Sequence, residues 1–282
     1  MNLDADIFTI RLPARHTEEG DASESPRARA VRSLFSLSRT QPHPILSPID
    51  IPLRPGTIVF ITGPSGGGKS TILRAIQEHA LGAGRPCTSV DGPEVASRMT
   101  SPDAADRAAA RPSVHRVIDC LEGRDGGDDG DARPLAELMS ILARAGLAEA
   151  AIMVRPVAVL SDGERARLKL AIAMDLLEWT ASAAATGSSA PSDGPAGSAS
   201  ALLIADEFTS AVDRATARSI ARLVASWIRR SPHCLVAATA HDDILEALRP
   251  DILVHAQLAG RTEILAAPRP PTRSAAHRRL VP

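Results

Sequence analysis

Between the β-rich run TIVFIT (57–62) and the stretch STILRAIQEHAL (70–81) lie the residues GPSGGGK (63–69), and this junction limits the fold more than any other part of the chain. Gly63, Gly66, Gly67 and Gly68 let the backbone curl through conformations that side chains disfavour, so successive N–H groups converge on one anion. Pro64 and Ser65 complete the bend, and Lys69, Ser70 and Thr71 lead into the following helix. That helix adds partial positive charge at its N-terminus. The order Gly63, Gly68, Lys69, Ser70 matches G-x-x-x-x-G-K-[ST]. In that pattern the lysine meets the β- and γ-phosphates of a nucleotide and the hydroxyl meets Mg²⁺. A strand, a phosphate loop and a helix in this order predict an α/β chain.

Composition supports the weight placed on Lys69. Of 32 basic residues in the 282-residue chain only two are lysines, Lys69 and Lys169, and the rest are arginines. Lys69 stands where a compact ammonium is needed and arginine's planar fork does not fit; Lys169 is expected on the surface. The formal net charge of −1 argues against coating nucleic acid by bulk electrostatics. No apolar run approaches the roughly 18 residues of a membrane span. The start MNLDADIFTIRLP carries early acids and does not read as a signal peptide. Cys87, Cys120 and Cys234 are odd in number and lack CxxC spacing, which argues against a disulfide scaffold or structural zinc. A cytoplasmic location is expected.

Patterning divides the chain. IFTIRL (7–12) and DIPLRPG (50–56) read as strands, ARAVRSLFSL (28–37) as a helix, and the polar run between them as mobile. Ile72, Leu73, Ile76 and Leu81 are expected on one helical face, as are Leu135, Leu138, Ile141, Leu142 and Ala145 of PLAELMSILARAGL (134–147). MTSPDAADRAAARP (99–112) reads as loop and SVHRVIDCL (113–121) as a strand. EGRDGGDDGDARP (122–134) fails the order of a calcium loop and reads as a solvated linker. TASAAATGSSAPSDGPAGSAS (180–200) is a flexible insertion by composition. ALLIADE (201–207), CLVAATAH (234–241) and DILVH (251–255) are further strands, and TARSIARLVASWIRR (216–230) is a helix whose apolar stripe includes Ile220, Leu223, Val224, Trp227 and Ile228.

ALLIADE ends in Asp206 and Glu207, as a Walker B strand does. An aspartate there can hold Mg²⁺, and the adjacent glutamate can polarise an attacking water. LSDGERARLKLAIAM (160–174) resembles the LSGGQ signature with its helix, SAVD (210–213) resembles a D-loop, and ATAH (238–241) ends in the histidine of a switch loop. Together, over about residues 45–260, these elements resemble an ABC-type ATPase. The resemblance implies a P-loop NTPase fold of ABC type: a mostly parallel sheet core, a small antiparallel β part and a helical subdomain. It implies ATP as substrate with Mg²⁺, and head-to-tail homodimers when ATP is bound. In those dimers Ser161 and Gly163 touch the γ-phosphate across the interface, His241 touches it in cis, and Asp213 joins the two sites.

The expected division is an N-terminal extension (1–44), the ATPase domain (45–267) with a helical subdomain near 100–179, and a basic proline-rich tail (268–282). Departures from the family pattern are Asp162 and Glu164 in the signature and the missing Q-loop glutamine, for which Asp119 is the candidate position. Phe35 is the candidate adenine-stacking aromatic. LSDGERARLKLAIAMD, ADEFTSAVDRATA and AHDDILEALRPDILV are similar to a soluble group often fused to a GNAT-type acetyltransferase domain, for which this chain has no room. Two functional readings follow. The first is a soluble ATP-driven dimer switch acting on a protein or nucleic-acid partner. The alternative is the ATP-binding subunit of a transporter with a separate membrane permease.

Overall fold

The computed structural model describes residues 8–13, 15–16, 25–36, 44–46, 48–100, 115–121, 133–186, 200–258 and 261–266. Much of the polar run 13–24, most of the acidic link, residues 187–199 of the proposed insertion and the C-terminal tail lie outside the described residues.

Two small antiparallel sheets come first: β1 (Phe8–Leu12) on β4 (Ile49–Leu53), and β2 (Arg15–His16) on β3 (Pro44–Leu46). In β4 burial alternates residue by residue, so Ile49, Ile51 and Leu53 face the core while Asp50 and Pro52 face outward. Between the two halves of this region lies α1 (Pro26–Leu34), capped by Ser25, whose hydroxyl accepts from the Ala28 amide at 3.2 Å.

The central sheet is built from β5 (Ile58–Thr62), β6 (Cys87–Ser89), β7 (Leu202–Ala205), β8 (Cys234–Ala238), β9 (Ile252–Ala256) and β10 (Thr262–Ala266). Its spatial order is β10-β9-β5-β8-β7-β6, parallel throughout except for the edge strand β10. Strands β7 and β8 are buried at every position, because helices cover both faces. On one face α2 (Lys69–Gly82) turns Ile72, Leu73, Ala75, Ile76 and Ala80 onto the sheet beside β1 and β4. On the other lie α3 (Pro93–Met99), α4 (Leu135–Arg144), α5 (Ala150–Met153), α6 (Asp162–Thr186), α7 (Arg214–Ile228) and α8 (Leu245–Leu248), around Leu142, Leu168, Ile172 and Val224.

Several sequence expectations change. SVHRVIDCL forms no strand among its described residues: Arg116 makes a single bridge to Pro156, and Ile118–Leu121 wind into a 3₁₀ turn that buries Cys120 and Leu121. Leu81, Leu135 and Leu223 are exposed, each at the edge of a stripe that its neighbours already fill. Helix α6 runs on to Thr186, into the first residues of the segment read as an insertion.

Candidate nucleotide site

Parallel strands deliver their following loops to one end of a sheet, so the C-terminal ends of β5, β8, β7 and β6 form a single rim. Strand β5 leads into the glycine loop, β8 into Thr239-Ala240-His241, β7 into Asp206-Glu207 and β6 into Val90-Asp91. Register aligns them: Ala205 pairs with Ala237, Ile61 with Ala238, and Ser89 with Ile204. Asp91 and Asp206 therefore stand equally far beyond a paired position on adjacent strands.

Within the loop, Gly63 has φ +142° and a Cβ there would lie 2.0 Å from the Ala256 carbonyl oxygen. Gly68 caps α2 in the left-handed region at φ +89°, which aims the first helical amides at the loop. Gly67 donates to the Pro64 carbonyl at 3.1 Å. Lys69 is buried, and its ammonium donates to the Gly63 and Pro64 carbonyls at 3.0 Å each, folding its charge back over the loop. Ser65, Gly66 and Ser70 are exposed and Thr71 is half-buried. A curled backbone, converging amides and one captive ammonium make a site for a polyphosphate.

The Asp206 carboxylate accepts from the Glu207 amide at 3.0 Å, which sends the Glu207 side chain outward from an exposed position at φ +47°. Phe208 donates to the Ala238 carbonyl at 2.8 Å, lacing the loop after β7 to the end of β8. The His241 amide donates to the Thr239 hydroxyl at 3.2 Å, and Thr239 in turn donates its amide to Ile61 beside the glycine loop. Among the described residues, no group of three His, Cys, Asp or Glu could hold a metal ion. The Ser70 hydroxyl at the start of α2 and the Asp206 carboxylate just after β7 are oxygen donors of the kind a hard cation takes.

The signature segment forms the start of α6. Ser161 and Glu164 make a reciprocal capping box: the Ser161 amide and hydroxyl donate to the Glu164 carboxylate at 2.9 and 3.0 Å, and the Glu164 amide donates back to the hydroxyl at 3.3 Å. Arg155 adds an ion pair to Glu164 at 3.0 Å. The backbone bond from Ser161 holds the Glu164 carboxyl below its ordinary range, helped by the Ser161 hydroxyl and Arg155. Glutamate in place of glutamine thus closes the cap. A Cβ on Gly163 would lie 3.1 Å from the Ala211 carbonyl, so the signature sits directly on the D-loop of its own chain. Asp213 caps α7, accepting from the Ala215 and Thr216 amides at 3.0 Å. The Thr216 bonds lower its pKa.

A cavity of about 310 Å³ lies between these parts, lined among others by Asp91, Asp162, Lys169, Asp206, Glu207 and Thr209. Lys169 is more than a surface residue here: its ammonium pairs with Asp91 at 2.7 Å, tying α6 to the sheet edge. Sequence reasoning missed Asp91. Asp119, the expected substitute for the Q-loop glutamine, is not among the residues lining the cavity; it caps its own turn, accepting from the Arg116 amide at 2.9 Å. Phe35 is 71% exposed at the end of α1. Burial pushes the thiols of Cys87 and Cys120 up to about 12 and raises that of Cys234.

Comparison with known proteins agrees with this geometry. Residues 46–176 match the family model described as ABC transporter. The chain is 34% identical over 140 residues to the hemin import ATP-binding protein HmuV of Streptomyces coelicolor, covering 45% of this chain and 48% of that protein. It is 30% identical over 239 residues to the mycobactin import ATP-binding/permease protein IrtB of Mycolicibacterium smegmatis, covering 80% of this chain and 36% of that one. It thus spans half or less of the length of these relatives. The ATP-binding cassette MJ0796, in a dimeric post-hydrolysis state bound to ADP and Pi, shares the fold with a TM-score of 0.54 at 16% identity, over 92% of this chain and all of that one. No helix among the described residues is long and apolar enough to cross a membrane. Over residues 46–176 the chain is thus similar to the ABC transporter family, and its fold is that of an ATP-binding cassette.

Proposed function

We propose that the chain is the ATP-hydrolysing component of an ABC importer and works with a membrane permease. The observation that carries this reading is the character of the relatives: HmuV, IrtB and the zinc import ATP-binding protein ZnuC of Paracoccus denitrificans are all named for import. This favours the second of the two sequence-based readings over a soluble switch acting on a protein or nucleic-acid partner.

In this reading the glycine-loop amides and Lys69 bind the phosphates of ATP. Ser70 and Asp206 hold Mg²⁺, which neutralises phosphate charge when bound. Glu207 takes a proton from the attacking water, and His241 meets the γ-phosphate from the end of β8. Ser161 and Gly163 of a second copy close over the nucleotide, with their helix N-terminus facing the anion, and Asp213 adjoins the interface. Hydrolysis removes the shared ligand and loosens the dimer. The proposed division keeps the ATPase domain over 45–267, with a helical subdomain near 100–179 and an insertion over 180–200.

The test is affinity purification of the tagged full chain from detergent-solubilised cells. Recovery of a polytopic membrane protein in stoichiometric amount is expected. Recovery of soluble protein or nucleic acid alone would overturn the importer reading.

A further inference from the structure

Asp243 lies two residues beyond His241, and Thr209 lies two residues beyond Glu207. One side chain touches both. The Arg214 guanidinium donates through Nε to the Asp243 carboxylate at 3.0 Å and through Nη2 to its other oxygen. Its Nη1 donates to the Thr209 carbonyl at 3.5 Å. Arg218, one turn on along α7, backs the arrangement with an ion pair to Asp243 at 3.3 Å. A bidentate arginine–carboxylate pair fixes orientation as well as distance. Arg214 itself follows Asp213, the helix cap, so its backbone is anchored at the first turn of α7.

The loop it grips is one that needs holding. Glu207 and Thr209 both have positive φ, +47° and +63°, without being glycine. Such backbone persists only where neighbouring contacts over-determine it. Here the contacts are Phe208 to Ala238, Ser210 to Glu207 and Arg214 to Thr209.

We propose that Arg214 is a positioning residue of the hydrolytic site, a clasp that fixes the loop carrying Glu207 against the loop carrying His241. This rests on the reading of Glu207 and His241 as the hydrolytic pair. Arg214 touches neither side chain; it sets the loops from which both project. A misplacement of about 1 Å at a reacting group lowers rate by up to roughly a hundredfold, while the glycine loop that binds the phosphates is left in place.

The experiment measures kcat and KM for Mg-ATP, and the affinity of a fluorescent ATP analogue, in full-chain Arg214→Met, Arg214→Lys, Asp243→Asn and Glu207→Gln. The clasp predicts that Arg214→Met and Asp243→Asn lose about ten- to a hundredfold in kcat with nucleotide affinity changed less than about threefold. Arg214→Lys, which keeps charge but loses the fork, falls between these and wild type. Arg214→Met added to Glu207→Gln causes little further loss, as expected of groups acting as a unit. Wild-type kcat in folded Arg214→Met, or an equal loss of affinity and rate, overturns the clasp. Should Arg214→Met not fold, Asp243→Asn, which keeps the side chain's shape, decides by the same criteria. Wild-type kcat in Glu207→Gln would instead overturn the hydrolytic pair itself.

Discussion

A Cβ placed on Gly63 would lie 2.0 Å from the carbonyl oxygen of Ala256, at the end of the neighbouring strand β9. The obstacle is backbone, and the residue also sits at φ +142°, so no rotamer relieves it. Gly63→Ala must move either the phosphate loop or β9. Overpacking of this kind costs about 1–3 kcal/mol, which corresponds to roughly a five- to 150-fold loss of affinity if it falls on the bound loop. Equilibrium binding of a fluorescent ATP analogue checks this. Gly66→Ala is the control for space: it shares a positive φ but has no atom within 4 Å, so its effect is the smaller. Equal effects would show that crowding by β9 is not the determinant.

Glu207 is exposed at the mouth of the site, with its amide tied to Asp206 and its carbonyl accepting from Ser210. The carboxylate has no role in holding that backbone. Glu207→Gln should therefore keep ATP binding and lose general-base function, which contributes about 10²–10⁴-fold. A non-hydrolysed shared ligand stabilises the associated state, so size-exclusion chromatography with Mg-ATP should show the variant as a dimer. Turnover at the wild-type rate would remove Glu207 from the hydrolytic role.

The capping box at the signature predicts a pH dependence with a definite sign. The Ser161 amide, then its hydroxyl and Arg155, hold Glu164 below its ordinary value. A carboxyl lowered in the folded state contributes stability that is fully present above its unfolded pKa, near 4.3. That contribution fades as pH drops from there through the folded value. Glu164→Ala should cost about 1 kcal/mol at neutral pH, the usual worth of a cap. The difference between wild type and variant in thermal unfolding should shrink as pH falls below about 4. A difference that stays constant or grows on acidification would mean that the carboxylate is not what closes the cap.

The parts of the site that the sequence made legible are those whose chemistry is local. Gly63 to Thr71 declare a phosphate loop because each residue type is required by contacts within nine positions. Asp206 and Glu207 stand out because an apolar strand ends on two acids. Asp91 was illegible for the opposite reason. Strand β6 is three residues long, and its sequence Cys-Thr-Ser shows no alternation. It exists because it adds to the edge of β7, a long-range pairing that no local pattern encodes. Asp91 gains meaning only once that pairing sets it beside Asp206 and opposite Lys169. The 3₁₀ turn at Ile118–Leu121 escaped for a related reason: β-branched, apolar residues suit a strand, and tertiary burial of Cys120 and Leu121 overrode the preference. Arg214 and Asp243, 29 positions apart, likewise meet only in the fold.

Helix α6 is joined to the rest of its subdomain by a carboxylate that the sequence pattern would place among apolar neighbours. Asp175 is 2% exposed and pairs with Arg98 of α3 at 2.7 Å and with Arg133, just before α4, at 2.5 Å. Three segments distant in sequence thus meet at one buried charge. Removing one member of a buried pair leaves its partners uncompensated, at a cost of about 3–5 kcal/mol. Here Arg98 is 14% and Arg133 30% exposed, and Arg133 keeps a second pair with Glu137 at 2.7 Å. Both arginines can recover some hydration, so Asp175→Ala should fall at the lower end, near 3 kcal/mol. Asp175→Asn retains the volume and one acceptor oxygen, but sets an amide donor against the second arginine and loses the charge, so it should cost a comparable amount. Chemical denaturation of the three proteins reads the difference directly. A loss below about 1 kcal/mol in Asp175→Ala would mean that the desolvation of the carboxylate in the folded chain cancels its attraction to the two arginines, and that this junction is held by the surrounding Leu168, Ile172 and Leu142 packing alone.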